Sequence, residues 1–370
     1  MGNNTKELIK IDKLNEVEQL NKYRVPLMGF AALWILIFHA WLPVFDGYVL
    51  LFKIEKYVKI IGYYGVDIFF LLSGIGLTYS IKKGNTWKFY YKRIKRILVP
   101  FLITAIALKI YNNWSSIEFI KRVTFYSFYT ESIYRLLWFV PAIATLYIVF
   151  PIYYKLFKKI SRKTLFTVTI VAIISIILIL FRNLIRSDLY GFINRIPIFL
   201  IGILLGWKEQ NKEITYNKNR YKIYIFMLFV GLVLSYYIKI DYWYFLDYRF
   251  DLFLPNMLVA ISLSFLLPQL FEIAINSKKK FINKTNKMII FVLSFIGTMS
   301  LEIYCVQELI VGFLNKIPKS IITNFIIIVV TLIIGSSLYI INKYFWILIE
   351  KVSSKIINNK KKERNKNDKI

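Results

Sequence analysis

The ionisable side chains within long apolar stretches of this sequence include His39, Asp67, Arg195 and Glu308. A charged group at membrane depth is costly, so each one needs a partner, a water-filled cavity or a function. A neutral imidazole can remove a proton from a hydroxyl, a carboxylate can orient that imidazole, and a guanidinium can stabilise an oxyanion. This combination is typical of acyl transfer. The structural alternative is a core histidine beside a buried Asp67–Arg195 ion pair that fixes helix register.

Hydrophobic segments must position these residues. The chain has 370 residues, of which 57% are hydrophobic and 19% are charged, which excludes a disordered chain, a disulfide-stapled secreted module and an ordinary soluble domain. Its apolar segments are about 18–22 residues long, enough to cross a hydrocarbon core. We predict an all-α integral membrane protein with about ten transmembrane helices. The predicted spans are roughly 25–45, 60–80, 94–112, 135–156, 164–181, 189–207, 221–240, 252–275, 289–314 and 321–348.

The distribution of Lys and Arg predicts the orientation. The net charge is +29, and most basic residues lie in alternate connecting segments, which indicates topology rather than nucleic-acid binding. Both termini are then cytoplasmic in a multi-pass protein of the plasma membrane, with a secondary attraction to anionic membrane lipids. The predicted divisions are a cytoplasmic segment 1–24, a transmembrane domain 25–348 and a disordered basic tail 349–370. Cys305, the single cysteine, excludes an internal disulfide, and we expect no metal site.

The four intramembrane groups are predicted to share one depth. A helical rise of about 1.5 Å per residue puts His39, Asp67, Arg195 and Glu308 about 9–10 Å below the outer surface. Because four helices contribute to this one level, the sequence predicts a single site in which Asp67 orients His39.

A second group of basic residues precedes the third predicted span. Arg93 and Arg96 are three residues apart and so share one helix face, with Lys92 close by. Guanidinium groups at a membrane surface can bind phosphates in bidentate fashion. The alternative is that these residues only supply the positive charge of a cytoplasmic loop.

Several segments, in order, resemble the acyltransferase-3 family of integral-membrane O-acyltransferases. MGFAALWILIFHA is similar to the family's first helix, which ends in the catalytic His, and GVDIFFLLSGIGL is similar to its G-V-D-x-F-F-x-L-S-G signature. RIKR, LWFVPAIATLYIVFP, RIPIFLIGILLG and GTMSLEIYCVQE resemble further family elements. The similarity covers most of residues 20–350.

The resemblance implies transfer of an acetyl group from cytoplasmic acetyl-CoA to a hydroxyl of an extracytoplasmic polysaccharide or lipid-linked sugar. His39 would be the general base or a transient acyl carrier, and Arg195 would stabilise charge. The CoA phosphates would bind Arg93 and Arg96, with Lys92 nearby. The expected substrate-positioning residues are Ser73, Trp138, Glu302, Tyr304 and Glu308.

Two positions depart from the family pattern. The family usually has Arg or Lys eleven residues before the His, where this chain has Met28. Arg24 is one turn earlier on the same helix face and could reach the same space. Gln307 stands where many relatives have His, and its amide cannot accept a hydroxyl proton.

Two other functions remain open from the sequence. A lipid-linked sugar flippase or another polytopic transporter would also need buried charges and an aromatic outer rim. A membrane scaffold without catalytic activity is compatible with the Met28 departure.

Overall fold

The computed structural model describes residues 14–40, 44–45, 47–82, 85–131, 137–181, 184–185, 187–237, 253–314 and 320–367. Within these ranges the regular elements are helices, together with a 3₁₀ turn at Gly62–Tyr64. The helices are α1 (Glu16–Lys22), α2 (Arg24–His39), α3 (Val49–Ile60), α4 (Gly65–Lys82), α5 (Thr86–Asn112), α6 (Ser116–Val123), α7 (Tyr126–Thr130), α8 (Phe139–Lys159), α9 (Lys163–Leu180), α10 (Ser187–Ile193), α11 (Ile196–Gln210), α12 (Asn219–Tyr236), α13 (Phe253–Ile275), α14 (Lys280–Thr298), α15 (Ser300–Leu314) and α16 (Ile321–Asn367).

The prediction of an all-helical membrane protein is confirmed, with a smaller number of clear spans. Six helical segments are long and apolar enough to cross a membrane, or seven if the α14–α15 pair, bent by 70°, is counted as one span. Helices α5 and α12 coincide with predicted spans but carry basic residues in their first turns, and α2 has only 16 residues. The count of ten and the orientation of the termini remain predictions.

The basic tail differs from expectation. Helix α16 continues to Asn367 instead of giving way to a disordered segment after Lys351. Lys, Arg and Glu are good helix formers, and an existing helix is extended without a new nucleation cost.

Two glycine contacts fix the helices that carry His39 and Asp67. At Gly29 in α2, a Cβ atom would overlap the backbone of α14 at Leu293, and at Gly74 in α4 it would overlap the backbone of α11 at Phe199. Small residues allow membrane helices to approach closely enough for extensive van der Waals contact. Helix α2 therefore packs closely against α14, and α4 packs closely against α11.

The two ends of the bundle differ in charge. We call the end at which α2 and α5 begin, and at which α4, α8 and α11 end, the basic end. Helix α1 closes part of it: Asn15 forms a capping box with Glu18, while Val17 and Leu20 are fully buried. An ion pair between Glu16 and Arg220 ties α1 to α12. His39 lies at the opposite end, at the last residue of α2.

Candidate functional site

A cavity of about 470 Å³ opens at the basic end between α2, α4, α5 and α8. Arg24 and Arg93 both line it, together with Tyr147. The guanidinium carbon of Arg93 lies 5.3 Å from the ring centroid of Phe89 and 5.4 Å from that of Tyr147. These cation–π contacts hold Arg93 in place and leave its donors available to an anion. Among the described residues, neither arginine forms a salt bridge.

The absence of a side chain at Gly76 allows the guanidinium of Arg24 to lie in this cavity. A Cβ atom at Gly76 would lie 2.5 Å from both Nη atoms of Arg24. The guanidinium therefore rests against the backbone of α4 with no side chain between them. Met28, one turn along α2, lines the next cavity. Arg24 and Met28 thus line adjoining cavities, and the role expected of Arg24 in place of Met28 remains a prediction.

A narrower cavity of about 90 Å³ continues from the first. Ser73 and Tyr147 line both cavities, so the two adjoin. The lining of the narrow cavity is mainly apolar and reaches Ile35 and Val66. Ile35 is one helical turn before His39 on the same face of α2. The adjoining cavities therefore extend from the two basic side chains at one end to Ile35, one turn before His39, which itself lines neither cavity.

His39 is exposed at the end of α2. Its ring packs edge-on against Phe38, with centroids 4.9 Å apart, and within the described part of the chain it has no hydrogen-bond partner. Just beyond it, the carboxylate of Glu55 accepts hydrogen bonds from the backbone N–H groups of Val44 and Phe45, at 2.7 and 3.1 Å. This contact ties the loop after His39 to α3.

Asp67 is paired with Arg195 and not with His39. Arg195 Nη2 lies 3.5 Å from Asp67 Oδ2, and both side chains are almost fully buried. Gly65 contacts Ala31 and Ile35 of the antiparallel α2, which puts Asp67 about eight residues of helix, or roughly 12 Å, below His39. The expectation that these groups share one depth therefore fails for this pair. Span limits taken from hydropathy carry errors of a few residues, enough to produce the difference.

Arg195 organises a polar cluster at the start of α11. Its Nη1 donates to the carbonyl of Gly191 at 2.7 Å and to Oδ1 of Asn194 at 3.1 Å. Its guanidinium carbon lies 5.2 Å from the ring centroid of Trp138. The Nε atom is buried and has no hydrogen-bond partner among the described residues, so one donor is available to a bound group.

The backbone before Trp138 is strained. Leu137 is 3% exposed and has φ of 37°, in the left-handed region that a non-glycine residue rarely adopts. Such strain persists where surrounding contacts fix it and is common at ligand sites. It sets the start of α8, where Trp138 meets Arg195.

Arg96 has a different environment from Arg93. Its Nη1 lies 3.1 Å from Glu302 Oε1, and its Nη2 donates to the carbonyl of Thr298 at 3.1 Å. Asn342 also donates to Glu302, which is fully buried. These contacts join α5, α15 and α16 at the bend between α14 and α15. Arg96 and Glu302 thus bind each other, and Arg96 also lines the narrow cavity. Their expected contacts with the donor and the acceptor remain predictions.

The other expected residues are dispersed. Lys92 is exposed on α5 and does not line either cavity. Tyr304 lines the narrow cavity, and its hydroxyl accepts a hydrogen bond from the backbone N–H of Phe139 at 3.2 Å. Glu308 is half-buried and interacts electrostatically with Asp188. Ser73, at the junction of the two cavities, is the best placed of this group.

Sequence reasoning missed three side chains of the cavities. Tyr147 lines both cavities, and Asn21 and Tyr79 line the first, where the Asn21 amide donates to the Tyr79 hydroxyl at 3.1 Å. Tyr147 stands in the segment LWFVPAIATLYIVFP, so the resemblance contained a signal for it. Nothing in the sequence indicates that Asn21, which precedes the first apolar segment, faces a cavity.

Comparison with known families agrees with this architecture. A profile of the acyltransferase-3 family, described as an acyltransferase domain, matches residues 27–341. No curated protein and no solved structure matches the chain. The family match runs from within α2 to within α16, includes His39 and most of the lining of both cavities but not Asn21 and Arg24, and favours an acyltransferase over a transporter. The chain belongs to the acyltransferase-3 family and is a membrane acyltransferase.

Proposed function

We propose that the protein transfers an acetyl group from acetyl-CoA to a hydroxyl of an extracytoplasmic polysaccharide or lipid-linked sugar. The observation that carries this proposal is the pair of adjoining cavities between Arg24 and Arg93 at one end and Ile35 at the other. A phosphate-bearing carrier suits the first cavity, since guanidinium groups bind phosphate oxygens strongly. A thioester on a long arm suits the second, which is narrow and mainly apolar.

The reaction follows from what His39 can do. The imidazole accepts the proton of the acceptor hydroxyl as its oxygen attacks the thioester carbonyl. The C–S bond then breaks, the acyl group stays on the oxygen, and the imidazolium returns the proton to the departing thiolate. In the alternative route the imidazole nitrogen attacks the thioester carbonyl and the thiolate leaves. The acceptor hydroxyl then attacks the acyl-imidazole, the C–N bond breaks, and the hydroxyl proton passes through the released ring to the thiolate. Exposure of His39 suits either route, because a large glycan must reach the ring.

The buried cluster at the start of α11 lies deeper in the bundle than His39 and is proposed to support this chemistry. Asp67 acts as a positioning residue that holds Arg195, and Trp138 packs over the guanidinium. Because this cluster lies about 12 Å below His39, the free Nε donor of Arg195 is our candidate for binding a polar group of a bound substrate. Glu308 and Tyr304 are proposed to contact the acceptor and the acyl arm, respectively.

The decisive variant is His39→Ala. We expect it to abolish transfer of labelled acetyl from acetyl-CoA to the glycan acceptor. Since His39 is exposed and its ring packs edge-on against Phe38, its loss removes little packing, and the melting temperature in detergent should stay close to that of the wild type. Lys53→Ala, at an exposed residue of α3 at the same end, is the matched control. Transfer retained by His39→Ala would overturn the mechanism.

The proposed orientation has its own test. Both termini are proposed to be cytoplasmic, because the basic end would then face the cytoplasmic pool of acyl-CoA. A tag after Ile370 should be labelled only after the cells are permeabilised. Labelling in intact cells would mean that the C-terminus faces outward, which would contradict the proposed direction of transfer.

A further inference from the structure

A third cavity, of about 360 Å³, lies farther toward the basic end. Helices α4, α5, α8 and α11 form it, and three of these also line the first cavity. Along α8, Tyr147 lines the first cavity, whereas Tyr154 and Lys155 line the third. This separation of seven or eight residues corresponds to about 11 Å. The third cavity therefore continues the line of the other two outward.

The third cavity is basic and aromatic. Lys82, Lys155 and Lys158 line it and are exposed, and no carboxylate lines it among the described residues. Lysine ammonium groups bind phosphates as mobile point charges. The charge of this cavity therefore selects an anion.

Two aromatic side chains complete the lining. Trp207 and Tyr154 line the cavity, and Lys163 Nζ lies 4.3 Å from the ring centroid of Trp207. Lys158 Nζ lies 5.6 Å from the ring centroid of Tyr154, which is buried and stacks on Phe150 at 5.3 Å. The half-buried Trp207 is therefore the ring that a base can reach. Aromatic side chains of this kind stack with nucleobases whatever the base, while nearby cations contact the phosphates. The combination suits a nucleotide better than it suits inorganic phosphate.

We propose that this cavity binds the 3′-phosphoadenosine end of the acyl donor. The inference rests on the proposed function and extends it by adding a nucleotide subsite. Trp207 faces the purine, the three lysines neutralise the 3′-phosphate, and the diphosphate lies toward Arg24 and Arg93. The pantetheine arm then passes Arg24 and Arg93 to reach Ser73. Donor recognition is thereby divided between a nucleotide subsite and an arm-binding path.

An anionic lipid headgroup offers the same phosphate chemistry at a membrane surface. It lacks a base, so it would not use the accessible surface of Trp207 for stacking. The experiment must separate these two sources of phosphate.

The test uses the full-length protein in detergent and two donors. The double variant Lys155→Ala with Lys158→Ala removes two exposed cations and should raise the KM for acetyl-CoA about tenfold, with kcat little changed. With acetyl-pantetheine, which has no nucleotide, the double variant and the wild type should behave alike. Trp207→Leu should show the same donor dependence. Lys159→Ala, at an exposed lysine of α8 outside the cavity, is the control.

Other results would contradict the proposed nucleotide subsite. An unchanged KM for acetyl-CoA, or an equal change with both donors, would overturn the subsite. Loss of activation by phosphatidylglycerol in nanodiscs, with the donor KM unaffected, would assign the cavity to lipid and also overturn it.

Failure of the proposed function is distinguishable from failure of the subsite. If the wild type transfers no acetyl group from acetyl-CoA, the proposed function fails. Binding of adenosine 3′,5′-bisphosphate to the purified protein then decides the inference. Saturable binding that the double variant loses would support the subsite, and equal or absent binding in both proteins would overturn it.

Discussion

Two pairs of arginines lie inside this protein in contrasting environments. Arg24 and Arg93 line an open cavity and contact a glycine backbone or aromatic rings. Arg96 and Arg195 are paired with the buried carboxylates Glu302 and Asp67. An arginine already paired in a low-dielectric environment contributes to structure, whereas one held without a counter-charge can bind an anionic ligand. The four arginines therefore fall into two functional groups according to the groups that they contact.

The difference is sharpest between Arg93 and Arg96. The two residues are three apart on α5 and share a helix face, yet one packs between Phe89 and Tyr147 while the other binds Glu302. Substitutions of the paired arginines should affect stability first. Substitutions of the cavity arginines should affect donor binding first.

The largest effect is expected at the Asp67–Arg195 pair. Asp67→Ala leaves a buried guanidinium without its carboxylate, which should lower the free energy of unfolding by about 3–5 kcal/mol. Thermal unfolding in detergent, followed by circular dichroism, measures this change. The double variant Asp67→Leu with Arg195→Met should recover most of the loss. A single variant as stable as the wild type would show that the pair is not structural.

Arg96→Ala should have a smaller effect on stability. Arg96 is 34% exposed, while Glu302 is fully buried, so water partly screens the pair and we expect a loss of about 2–3 kcal/mol. Adding Glu302→Gln should restore part of it by removing the unpaired charge. The KM for acetyl-CoA, measured below the unfolding temperature, should change little. A large increase in KM with unchanged stability would move Arg96 to the donor site.

Arg24→Ala and Arg93→Ala should act in the opposite way. Each removes a cation that has no carboxylate partner among the described residues, so the KM for acetyl-CoA should rise about tenfold, equivalent to about 1.4 kcal/mol. The melting temperature should fall by less than in the paired variants. Steady-state transfer assays across donor concentrations give the first quantity. A loss of stability without a change in KM would contradict the assignment of this cavity.

The smallest effect is expected at Gly76. A methyl group there would lie 2.5 Å from the Nη atoms of Arg24, so Gly76→Ala should displace the guanidinium within the cavity. We expect an increase in KM of about threefold, smaller than that of Arg24→Ala because the charge remains. The double variant Arg24→Ala with Gly76→Ala should add nothing further. An additive effect would show that Gly76 acts independently of Arg24.

The sequence predicted the helical class and the residues at the ends of the helices that carry the site. Apolar segments and ordered family motifs were enough to propose His39, Arg93, Ser73 and Arg195 as candidates, and their roles remain predictions. They could not show which cation meets which anion, because Glu302 and Arg96 are far apart in the chain and meet only through the bend at Thr298. Ion pairing between helices depends on rotation and register, which hydropathy does not specify.

Depth was the weaker part of the prediction. Counting residues from the ends of predicted spans put Asp67 level with His39, but the antiparallel contact at Gly65 puts it about two turns lower. Helices α3 and α4 form one continuous apolar segment, Val49–Lys82. A hydropathy profile does not show at which residue such a segment crosses the membrane surface.

Ser73 offers the most direct test of the continuous path on which the account depends. It lines both cavities, so Ser73→Trp should fill their junction, while Ser73→Ala leaves it open. The account predicts that Ser73→Trp loses acetyl transfer by more than tenfold but still binds CoA, with Ser73→Ala close to the wild type. A folded Ser73→Trp protein that transfers acetyl groups at the wild-type rate would contradict it.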